Sequence, residues 1–154
     1  MIPTRLLTRG LIVAAAVAAV AVSTAFSTPD VTKARAERAM APTLANLYVQ
    51  QAAILGIPDV TVTGTDAWAD CDRGGPKVAD VGSESDWICM VTFHDDAHHV
   101  QTGKFELQIR ADSTYIASGP SKLIGMATIT DKKTGKDVPN PVFEFDGTLD
   151  PDHP

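Results

Sequence analysis

The spacing of apolar residues changes character at Pro58. Before it, in "TPDVTKARAERAMAPTLANLYVQQAAILGIP", Met40, Leu44, Leu47, Tyr48, Gln51 and Leu55 recur at helical spacing, an apolar stripe with one polar member. Asp30 or Thr32 can cap the start, and Gly56 followed by Pro58 supplies the stop. Pro42 lies inside this pattern, where it lacks an N–H and crowds the preceding turn. A break or kink at Ala41 is therefore expected. It divides residues 26–41, a stalk or first helix segment, from an α+β domain over 42–154.

After Pro58 the period falls to that of strands. "VTVTGTDAWADC" opens the series, and "DWICMVTF" follows with Trp87, Cys89, Val91 and Phe93 on one face. In "GKFELQIRA", Phe105, Leu107 and Ile109 alternate with Lys104, Glu106, Gln108 and Arg110, the mark of a sheet wet on one side. "TYIASG", "KLIGMATIT" and "PVFEFDG" complete the strands, with "DKKTGK" a turn between the last two. Helix first and strands afterwards predicts an α+β fold. The expected architecture is a long N-terminal helix packed on a curved antiparallel sheet of four to six strands, as in cystatin-like folds.

The amino end changes the picture from fold to location. "MIPTRLLTRG" carries Arg5 and Arg9 and no acid, and the unbroken apolar run Leu11–Phe26 follows. This reads as an export signal over residues 1–25, with small residues placed for cleavage after Ser23 or Ala25. Retention as an N-terminal anchor is the alternative. The expected location is outside the cell, or tethered to the outer face of the cytoplasmic membrane, with membrane contact only through this segment. Removing it leaves 129 of 154 residues, enough for one cored domain, and takes the net charge from −6 to −8. Such an acidic domain repels phosphate, so nucleic acid is not an expected partner.

Export decides how Cys71 and Cys89 are read. In an oxidising compartment two cysteines 18 positions apart form a structural disulfide, and no C-x-x-C spacing suggests a redox pair. Closing such a ring stabilises a domain by roughly 3 kcal/mol in the chain-entropy picture.

"HDDAHH" concentrates His94, His98 and His99 with Asp95 and Asp96 in six residues between two strands. Imidazole and carboxylate can bind Zn²⁺ or Cu²⁺, but a polar loop offers no supporting shell to make the ligands converge. A solvated turn is expected and no metal is assigned; His94, His98 and His99 stand as weak candidates. Lys133-Thr134-Gly135 lacks the Ser-x-x-Lys that would make it catalytic, and neither Gly-x-Ser-x-Gly nor His-Glu-x-x-His occurs. Glu144 and Asp146 fall on one face of their strand, alternating with Phe143 and Phe145, as a solvent-facing acidic edge. No catalytic residue and no cofactor is assigned.

"GKFELQIRAD", "TYIASGPSKLIG" and "VPNPVFEFDGTLDP", together with the export signal and "APTLANLYV", resemble small exported proteins of high-GC Gram-positive bacteria, mostly without assigned activity. Many members of that group carry a cysteine just before the tyrosine of the fourth strand and another right after "FDG". Thr114 and Thr148 occupy those places here. The resemblance thus implies that these two positions lie side by side, and that a second bridge is missing.

These readings point to an extracytoplasmic binding or accessory module of the cell envelope, its partner an envelope protein or a small ligand. One alternative is a small cone-shaped α+β enzyme with one buried carboxylate as general base. Another is a weak metal carrier using the His94–His99 loop.

Overall fold

The computed structural model describes residues 31–83 and 86–149. The expected export segment 1–25 and residues 26–30 lie outside the described residues. Helix α1 (Lys33–Leu55) starts where the Thr32 side chain accepts from the Arg35 amide, and ends at Gly56, which adopts the left-handed φ of 70°.

The break expected at Ala41 does not occur: Lys33–Leu55 is one helix, and residues 33–41 are its first turns. Pro42 points to solvent, while Met40, Ala41 and Leu44 beside it are buried. A proline inside a helix costs about 3 kcal/mol. Burying Met40 and Leu44 alone returns roughly 1.5–3 kcal/mol each, so packing on both sides of the proline outweighs the local defect. Alanines at 36, 39, 45 and 52 fill the rest of the buried face and let the helix lie close to the sheet.

Five strands form one antiparallel sheet in the order β1-β2-β3-β4-β7, from β1 (Trp68–Asp72), β2 (Asp86–His94), β3 (Val100–Ile109), β4 (Thr114–Ser118) and β7 (Glu144–Thr148). The alternation places Trp87, Cys89, Val91, Phe105, Leu107 and Tyr115 on the inner face, all buried in the core shared with α1. The helix also guards the β1 edge. The Glu37 carboxylate accepts from the Cys71 amide at 3.1 Å, and Lys33 bonds Asp70 and lies 3.5 Å from Glu37. Asp70 first, then Glu37, holds the Lys33 ammonium above its ordinary pKa. An edge strand's outward amide is thereby satisfied instead of exposed.

At the opposite edge, Thr114 pairs with Thr148, and the Leu149 amide donates to the Ser113 carbonyl at 2.9 Å. That pattern makes Thr114 and Thr148 a non-hydrogen-bonded pair, the closer of the two kinds in an antiparallel ladder. The adjacency implied by the resemblance is therefore present. Next to it, Gly147 lies against Tyr115, and a methyl group there would stand 2.5 Å from the phenol oxygen. Burial raises the Tyr115 phenol above its ordinary pKa, an effect the Thr43 side chain partly offsets.

Two expected strands and one connection are corrected. "VTVTGT" ends in the helical turn α2 (Val62–Thr65), because the Thr61 side chain accepts from the Gly64 amide and its carbonyl accepts from the Thr65 amide. "KLIGMATIT" splits into the turn α3 (Ser121–Ile124), begun by Pro120, and the short β5 (Thr128–Thr130). "DKKTGK" joins β5 to β6 (Asp137–Pro139) as a separate two-stranded ribbon, so it does not lead directly into the last sheet strand.

The ribbon is tied to the helix by a buried polar knot. Asn140 Nδ2 donates to the carbonyls of Ile124 and Met126, both at 2.9 Å, and its Oδ1 accepts from the Val142 amide and from Gln51 Nε2. Gln51 was the polar exception in the helical stripe, and this knot is why it is tolerated inside.

Candidate functional site

The histidine-rich stretch is the turn between β2 and β3. Asp95 builds it: its Oδ1 accepts from the amides of Ala97 at 3.0 Å and His99 at 2.8 Å, and its Oδ2 accepts from Gln101 Nε2 at 2.7 Å. The Gln101 bond, followed by those amides, holds the Asp95 carboxyl below the usual carboxylate range. His98 takes the left-handed φ of 59°, as the turn requires, and its side chain is exposed with that of His99. His99 Nδ1 lies 3.8 Å from Asp95 Oδ2, beyond hydrogen-bond distance.

The carboxylate best placed to serve a metal is thus already occupied in holding the loop. Among the described residues no three His, Cys, Asp or Glu side chains gather as a metal site. The loop also docks on α1. Tyr48 Oη accepts from the Asp96 amide at 3.3 Å and approaches Asp96 Oδ1 at 3.5 Å, while its ring packs on Phe93 with centroids 5.1 Å apart. Burial first, with the nearby Asp95 and Asp96 charges, raises the Tyr48 phenol above its ordinary pKa.

Cys71 and Cys89 stand opposite each other in the β1–β2 ladder and are bridged, with Cα atoms 4.0 Å apart and both residues fully buried. Such a bond belongs to an oxidising environment and points outside the cytoplasm. Among the described residues no helix is long and apolar enough to cross a membrane.

The enzyme alternative needs a buried carboxylate between helix and sheet. That layer is filled by Phe105, Leu107, Ile109, Met40 and Leu44, and every described Asp or Glu side chain is exposed or half-buried. Glu144 and Asp146 face solvent on β7, as the alternation implied, with Phe145 turned inward.

The outer face of the sheet carries what sequence reasoning passed over. Register aligns Ile88, Glu106, Ser118 and Glu144 across four strands, with Gln108 and Ile116 in the adjacent row. Together these side chains line an open trough of about 580 Å³. Met90 and Trp68 continue the same face toward β1 and are 40% and 57% exposed. One signal was present in the sequence: "WICMV" is apolar at both alternations, so one set had to face outward.

Comparison with protein-family models, with curated proteins and with solved structures finds no match to this chain.

Proposed function

We propose that the protein is an extracytoplasmic binding or accessory module of the cell envelope, secreted or tethered by its amino end, and that it engages a partner through the outer face of its sheet. The observation that carries this reading is the strip Trp68, Met90 and Ile88 on the solvent side of β1 and β2, flanked by Lys104, Glu106 and Gln108 of β3, with Ile116 beyond that polar row. An apolar strip with a polar rim is the usual make-up of a recognition surface, and Trp and Met are enriched at such surfaces. The buried disulfide, the apolar amino end and the resemblance to small exported proteins support the location. The helix-first order and the antiparallel meander support kinship with cystatin-like folds.

The test is affinity capture from envelope extract with the full chain, comparing the wild type with the Met90→Glu/Ile116→Glu variant. A partner retained by the first and lost by the second, at unchanged melting temperature, is the expected result. Equal retention by both removes the outer face from the reading.

A further inference from the structure

A second recess lies away from the sheet's outer face, between the carboxyl-terminal half of α1 and the α3–β5 segment. It measures about 370 Å³, within the range of small-molecule sites, and Leu55, Ile57, Leu123 and Ile129 give it apolar walls. Gln51 lines it and is only 5% exposed. Its Nε2 donates to the Ile124 carbonyl at 2.6 Å and to Asn140 Oδ1 at 2.9 Å. Both partners are acceptors, so turning the amide over would set oxygen against oxygen; the orientation is fixed. Every polar atom of the Asn140 side chain is used in the knot, whereas Gln51 Oε1 accepts no hydrogen bond from any described residue. Oε1 is not sealed from solvent but faces the recess, so a ligand that covers it without donating leaves it unpaired, which is unfavourable.

We propose that this recess binds a small uncharged molecule with an apolar body and one N–H or O–H group, the latter donating to Gln51 Oε1. Asp96 on the wall disfavours an anion, and the apolar walls disfavour a desolvated cation. The site is independent of the partner surface proposed above.

The test uses a matched pair of probes, indole and benzofuran, which share shape and differ in the N–H donor. Each is titrated into the ¹⁵N-labelled full chain and followed by amide chemical shift. Indole is expected to give saturable shifts at Gln51, Ile124, Gly125 and Ile129, and benzofuran to bind about tenfold more weakly, as covering that acceptor without a hydrogen bond implies. The Leu55→Trp variant, which fills the recess from its half-open wall, should abolish the indole shifts. Equal affinity for the two probes would mean that Oε1 is served by water alone and would overturn the proposal. So would an indole response that fails to saturate up to its solubility, or one that persists in a folded Leu55→Trp variant.

Discussion

Two residue pairs occupy equivalent places at opposite edges of the sheet. Cys71 faces Cys89 across β1 and β2, and Thr114 faces Thr148 across β4 and β7, each pair at directly opposed positions. The first is covalently joined on the buried face; the second sits on the outer face, with Thr148 exposed. The strands they serve differ in what else holds them. β1 turns only Ala69 and Cys71 toward the core, and its largest side chain, Trp68, faces out. β7 turns in Phe145 and is flanked by buried Val142 and Leu149. A ladder brings either pair within reach of a bridge, but the bridge is found at the edge that lacks apolar anchors.

The sharpest way to break this contrast is to remove the bridge. The Cys71→Ala/Cys89→Ala variant should lose about 3 kcal/mol. In a domain of this size that lowers the melting temperature by roughly 10 °C, read by circular dichroism. A shift of only a degree or two would show that Glu37 and the helix suffice to hold β1. Next in size is Gly147→Ala, which drives a methyl into the Tyr115 ring and should cost about 2 kcal/mol. Hydrogen exchange should then report lost protection in β4 and β7 with β1 and β2 unchanged; uniform loss would contradict separate support of the two edges. The smallest effect is a gain. Thr114→Cys/Thr148→Cys should oxidise spontaneously and stabilise by about 1–2 kcal/mol, below the ring-entropy figure because β7 is already anchored. Two persistent free thiols in the purified variant would show that the pair is not as close as the ladder makes it.

The parts of this fold legible in the sequence are those where one face is dry and the other wet. Strict alternation in "GKFELQIRA" fixed the inner set Phe105, Leu107 and Ile109, and the heptad-like stripe marked α1 to its Gly56 stop. Pro42 misled because its local cost is visible in sequence, whereas the burial that outweighs it is tertiary. "VTVT" misled because alternation over so few residues is a weak signal, and Thr61 had a nearer hydrogen bond to make. The position of Thr114 beside Thr148 was not contained in any periodicity; it came from resemblance alone. Ile88, Met90 and Ile116 were read as strand residues but not as a surface, since pattern alone does not say which apolar row wins the core.

The place of β7 in the sheet also sets an order in time. β1, β2 and β3 each pair with the next strand along the chain, whereas β7 reaches β4 only after the α3, β5 and β6 excursion has been laid down. Contacts that close shorter stretches of chain form sooner on average. Cys71 and Cys89, the only two cysteines, belong to the early group, and neither has another thiol in the chain to choose. Oxidation can therefore run ahead of the last strand without risk of a wrong pairing, and a chain still waiting for β7 is already locked at its weakest edge.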